Sequence, residues 1–251
     1  MEFPQGRDGP VALYGSARDA VTEAGGGAPL TRRFDELKAL VTPGKIIEAL
    51  DTSPRLPGIE TLIGDSAIVG LRGRLRPFLD DPQLAGRPLA VLLDDLVGSS
   101  IIATWVWTKW IEDRSELIAW VGDSKSMENA CVGYRKGASG LASHDYFDKI
   151  DYVPALGRDD DPDAFHPLKP DREKTMRRVR RVDVWIEHGR IAIDAMFQDS
   201  GIVPGMRRSA VHEYRVCASA DRASGALLAI EAFRVCCRTP NAWELRKACR
   251  R

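Results

Sequence analysis

Alternation of apolar and polar positions is sharpest in the C-terminal third, where Ile191, Ile193, Ala195 and Phe197 recur at every second residue. A period of two marks a strand with one covered face. Four antiparallel strands are expected there, over residues 181–187, 190–199, 207–218 and 226–236. His188-Gly189 makes a two-residue hairpin turn between the first pair, and a loop holding Asp221 and Gly225 separates the last pair. Residues 31–50 read as two more strands around a turn at Pro43-Gly44. Helical spacing follows at 58–63, at 69–79 and over the long run 86–110, where Asp94, Gly98, Ile101 and Trp105 recur. That phase sets Asp94 on a partly apolar face, with Asp95 as its exposed neighbour. A short basic helix is expected over 241–251, opened by Pro240-Asn241.

These elements predict an α+β fold of antiparallel sheets with packed helices. Residues 1–30, rich in glycine at Gly25-Gly26-Gly27, read as an irregular arm with one short strand near 11–14. Residues 31–110 form a first half of strand pair plus helices, 111–175 a connecting region, and 176–251 a second half of sheet plus terminal helix. A faint internal repeat links the halves. The hairpin entered at Glu36-Leu37-Lys38 parallels the one entered at Glu213-Tyr214-Arg215, and each is followed by a helix bearing Leu-Arg (Leu71-Arg72 and Leu245-Arg246). Two pseudo-repeated halves would pack around a cleft.

Composition narrows the function classes. At 251 residues the chain can bury a sizeable core. Its 36 basic residues are balanced by 36 acidic ones, which argues against nucleic acid as a partner, since phosphate-binding surfaces carry excess cations. The basic run Arg177-Arg178-Val179-Arg180-Arg181 alternates like an edge strand and reads as a solvated face that blocks aggregation, with anion binding as the alternative. The N-terminus lacks a basic start and apolar core, and the uncharged stretch 96–108 is too short to span a bilayer. No membrane partner is expected, and a cytoplasmic location is the default. Five cysteines without a C-x-x-C pair read as reduced, mostly buried thiols. Zinc-ligand spacings, a Gly-rich phosphate loop, H-E-x-x-H and G-x-S-x-G motifs are all missing from the sequence, so neither metal nor cofactor is expected.

Candidate chemistry gathers in residues 191–214. His212 and Tyr214 stand two apart on one strand and share a face, while Glu213 points to the other. A histidine beside a tyrosine can serve as base and acid, or as base and oxyanion donor; the structural alternative is a hydrogen-bonded pair within a sheet. Asp199 ends the apolar row of the neighbouring strand, where desolvation is expected to raise its pKa; a turn-forming aspartate is the other reading. These three are the catalytic candidates. Trp105 and Trp107, with Trp110 on the same expected helix, would line a pocket for a flat ligand, unless they serve the core. Phe197, Asp94 and His166 complete the substrate-binding set. The inventory fits a cofactor-independent acid/base enzyme acting on an aromatic, plant-derived small molecule. A carbon–carbon lyase of retro-aldol type, releasing a small aldehyde, is one such reaction. A non-catalytic ligand-binding or assembly module is the competing reading, and a homo-oligomer stays open.

Several short blocks also carry a likeness. Leu92-Leu93-Asp94-Asp95-Leu96, Cys131-Val132-Gly133-Tyr134, Phe165-His166-Pro167-Leu168, Met176-Arg177-Arg178, Phe197-Gln198-Asp199-Ser200 and His212-Glu213-Tyr214 occur in an order that resembles the bacterial domain of unknown function family 2889. The resemblance runs from about residue 9 to the C-terminus. It implies no settled activity. Members of that family usually continue with a further helical segment, whereas this sequence stops at Arg251.

Overall fold

A computed structural model describes residues 1–121, 136, 153, 156 and 165–237, apart from the side chains of 114, 121 and 233–237. The chain divides into two compact units, Met1–Trp105 with Pro154–Met176, and Val106–Val153 with Arg177–Arg251. Each is an antiparallel sheet with helical segments, and the α+β class holds.

In the first unit β1 (Val11–Val21), β2 (Leu30–Val41) and β3 (Ile47–Ser53) form a sheet in that order. The short strand expected near residues 11–14 is the start of β1, and the expected irregular arm is wrong beyond it, since the strand runs on to Val21. β1 pairs with β2 along its whole length, and the glycine run is the turn of that long hairpin, with Gly26 and Gly27 at positive φ. Only the first three residues of β1 are buried, so the rest of the strand carries no apolar alternation to betray it. A 3-10 helix (Ile59–Leu62), α1 (Leu71–Leu79) and α2 (Pro88–Ile102) follow as the spacing predicts.

α2 buries Leu89, Leu93, Leu96 and Val97 in a core shared with Leu13, Leu37, Val41 and Ile47. Full burial of each such side chain contributes roughly 1.5–3 kcal/mol. Gly15 on β1 lets the helix approach closely: a Cβ there would sit 3.0 Å from Leu92 Cδ2. The start of α2 is fixed from the sheet. Asp35 of β2, fully buried, accepts hydrogen bonds from Leu89 N (3.0 Å) and from Arg87 Nη2 (2.6 Å), which satisfies an otherwise free first-turn N–H. Near its other end Lys45 Nζ donates to Ser100 O at 2.9 Å, a cation placed where the helix dipole favours one. Burial pushes the Lys45 ammonium below its usual pKa.

Asp94 differs from expectation. It lies off the buried stripe, with its side chain 44% exposed and Arg72 Nε 3.4 Å away, and Asp95 is half-buried like it. The buried stripe runs through Leu89, Leu93, Leu96 and Ser100, and Asp94 is turned by about 100 degrees from Leu93. The helical run also ends differently, since Ala103–Lys109 is 3-10. Taken together Pro88–Lys109 is long and apolar enough to cross a membrane by length and composition, unlike the shorter uncharged stretch inside it. Core packing of α2 accounts for its apolar character in the first unit.

The second unit is built on β4 (Met176–Glu187), β5 (Arg190–Val203), β6 (Arg207–Asp221) and β7 (Leu227–Cys237), an antiparallel meander in sequence order. His188 and Gly189 both have positive φ, as the two-residue turn between β4 and β5 requires. Trp110 Nε1 donates to Ile202 O at 2.9 Å and so ties the segment after the 3-10 run to β5. α3 (Arg114–Val121) occupies part of the expected connecting region, and the helix expected over 241–251 lies outside the described residues. Both hairpins of the supposed repeat exist, but in sheets of three and four strands, and the Leu245-Arg246 helix is not among the described residues. Cys217 is disulfide-bonded, which corrects the expectation of a reduced thiol at that position. Spacing along a chain carries no signal for such a pairing.

Candidate active site on the second sheet

Asp199 and His212 face each other across β5 and β6, and Phe197 faces Tyr214 two pairs further along. Strand alternation therefore brings all four to one face. A β-bulge between Asp199 and Ser200 marks the spot, and bulges re-aim side chains where they occur. Phe197 and Tyr214 rings lie 6.2 Å apart, and His212 and Tyr214 rings 6.3 Å apart.

A fifth residue completes the group. Arg178 of β4 grips the Asp199 carboxylate with two bonds, Nε to Oδ1 and Nη2 to Oδ2, each 2.8 Å. His212 Nδ1 lies 3.4 Å from Asp199 Oδ2. Asp199 is fully buried, while the His212 side chain is 34% exposed. Burial pushes the Asp199 carboxyl up, but the hydrogen bonds and charges of Arg178 and His212 outweigh it and hold the group below the usual carboxylate range. The expected upward shift is thus reversed, because Arg178 is a bidentate partner rather than a solvated edge charge.

An ionised carboxylate only accepts hydrogen bonds. The neutral His212 ring must then carry its proton on Nδ1, which leaves Nε2 unprotonated as a base. Tyr214, 42% exposed, supplies a phenol on the same face. The guanidinium groups of Arg178 and Arg180 lie 5.0 and 5.3 Å from the Phe197 ring centre, a cation–π arrangement that holds the ring in place.

The opposite face of the sheet is charged and structural. Asp194, buried, is bound by Arg215 (2.6 and 2.8 Å) and Arg181 (3.1 Å). Glu213, also buried, accepts from Gln198 Nε2 at 3.4 Å. Burial raises its pKa, and the Gln198 hydrogen bond offsets part of that rise.

The remaining sequence candidates are placed elsewhere. His166 belongs to the first unit, where Nε2 lies 3.3 Å from Ser16 Oγ and the ring stacks on Phe165. Burial, helped by the Arg18 charge, lowers its pKa. Asp94 and the buried Trp105 are also in the first unit, and the half-buried Trp107 is in the second. The three tryptophans therefore do not share one α-helix. Among the described residues no three His, Cys, Asp or Glu side chains converge as a metal cage.

No family model, curated protein or solved structure matches the chain. The site's own geometry carries the functional argument.

Proposed function

We propose that the second unit carries a cofactor-independent acid/base site with His212 as base, Asp199 as its orienting partner and Tyr214 as acid or oxyanion donor. One observation carries the reading. Asp199 is kept ionised by Arg178 and accepts from His212 Nδ1, which presents Nε2 on the face that also bears a phenol. A carboxylate that fixes the tautomer of a histidine is the arrangement general base catalysis needs. Phe197 and Tyr214 offer flat apolar surface to an aromatic substrate.

A retro-aldol step suits these groups. His212 Nε2 takes the proton of a substrate hydroxyl, the adjacent carbon–carbon bond breaks, and a small aldehyde leaves. The electron pair stays on the carbon beside the aromatic ring and takes the phenol proton of Tyr214, and the proton held on His212 then passes back to the phenolate. Kinship with domain family 2889 and a cytoplasmic setting belong to the same proposal, although the Cys217 disulfide is more at home in an oxidising compartment.

Metal-free protein assayed against aryl alcohols tests the reading. His212→Ala or Tyr214→Phe should lower turnover by about a hundredfold or more while folding is kept. Unchanged turnover in folded His212→Ala protein, or activity that appears only after metal is added, contradicts it. A second reading, an assembly module, draws on the exposed apolar half of this same sheet face.

A further inference from the structure

The face that carries His212 and Tyr214 continues into an uncovered apolar half. On β4 Val182, Val184 and Ile186 are 64%, 61% and 52% exposed, and on β7 Leu227, Leu228 and Ile230 are 57%, 51% and 60% exposed. Isolated surface leucines need no explanation, but six such side chains on one sheet do. Alternation puts the β4 trio on the face of Arg178 and Arg180, hence of Phe197. Ile230 lies opposite Ala218, and the bulge at Ser219/Ala220 sets Leu227 and Leu228 against Ala220; both β6 positions share the face of His212 and Tyr214. Between these rims the central strands contribute Ile191, Ile193 and Ala195 of β5, opposite Ala220, Ala218 and Val216 of β6. No charged residue occurs on this half-face among the described residues.

We propose that a second copy of the chain covers this half-face, forming a two-fold dimer whose interface borders the His212–Tyr214 pair. Area decides for a protein-sized occupant. The exposed side chains offer on the order of 600 Å², close to the roughly 800 Å² that each partner buries in a standard interface. A small ligand would leave most of that surface wet. Charge decides for self-association. A two-fold contact brings each patch against itself, so like charges would repel, and this patch has none. Two such faces pack as stacked sheets, with side chains interdigitating across about 10 Å. The site is open on this side in a single copy, with Tyr214 42% exposed, and the partner would exclude water from it. Only that last consequence rests on the proposed chemistry; the interface does not.

Sedimentation equilibrium of the full chain over a dilution series is the test. The wild type should be a dimer, and Val184→Glu or Ile230→Lys should weaken association at least about a hundredfold by burying an unpaired charge, with unchanged far-ultraviolet circular dichroism. The isosteric pair Val182→Thr with Val184→Thr keeps shape and should weaken the dimer by about tenfold or more, through two buried hydroxyls without partners. A wild type that stays monomeric at high micromolar concentration overturns the proposal. So does a dimer that folded Val184→Glu, Ile230→Lys and double-threonine variants all retain. His212→Ala protein should remain dimeric; a wild-type dimer without turnover sinks the chemistry alone, and an active wild-type monomer sinks the interface alone.

Discussion

Removing the guanidinium from Arg178 should reveal how much of the second unit rests on one ion pair. In Arg178→Met the apolar stem is kept and the charge is lost. Asp199 is fully buried and the Arg178 side chain is 13% exposed, with both bonds at 2.8 Å. After the change the carboxylate keeps, among the described residues, only the longer His212 contact at 3.4 Å. Breaking a buried pair from one side costs about 3–5 kcal/mol, whereas an exposed pair is worth about 0–1 kcal/mol. At roughly 2–4 °C per kcal/mol for a chain of this size, Tm should fall by about 10 °C. The pH dependence has a definite sign. The folded Asp199 carboxyl lies below its ordinary value, so its contribution is complete above the unfolded value and is lost as pH falls through the folded one. The deficit of Arg178→Met against wild type must therefore shrink on acidification. Urea denaturation across neutral to acid pH measures it. A loss under about 1 kcal/mol at neutral pH, or one that persists undiminished into acid, would refute the reasoning.

Other substitutions follow from the same structure. Asp35→Ala removes both the cap on Leu89 N and the Arg87 pair, and should cost about 2–4 kcal/mol by urea denaturation; a loss of a few tenths would mean that α2 is not held from β2. Glu213→Gln keeps an acceptor for Gln198 but drops a charge that burial disfavours. Because the folded pKa is raised, the wild-type penalty exists above the unfolded value and disappears as pH falls. The variant should thus gain stability at neutral pH and nothing in mild acid, and destabilisation at neutral pH would contradict this.

Much of the site was legible because a period of two survives in β5 and β6. Alternation alone places His212 with Tyr214 and Asp199 with Phe197, and the two strands that carry them pair as expected. Arg178 was missed although a signal existed. A two-residue turn at His188-Gly189 implies that Glu187 faces Arg190, and counting back sets Arg178 opposite Asp199 and Arg180 opposite Phe197. The ion pair agrees with that count. Charge on an edge strand suggested solvent, but a buried carboxylate across the ladder redirects it. Asp94 was misplaced for a different reason: α2 is apolar nearly all round, so periodicity fixes its existence better than its phase. Only the start of β1 was legible, because the strand beyond its first three residues is not buried, and tertiary pairing rather than pattern extends it. Trp105, Trp107 and Trp110 were read on α-helical geometry, which the 3-10 run over Ala103–Lys109 replaces.

The orientation of His212 by Asp199 is the claim on which the proposed chemistry stands, and its ring tautomer reports on it without any substrate. Two-bond proton–nitrogen correlation on histidine-labelled protein at alkaline pH, with His212→Ala for assignment, distinguishes the two forms. The account predicts a protonated Nδ1 and a pyridine-like, unprotonated Nε2, in keeping with an ionised Asp199 that can only accept. A proton found on Nε2 would contradict it, since Nδ1 would then have nothing to donate to Asp199 and the exposed nitrogen could not act as the base.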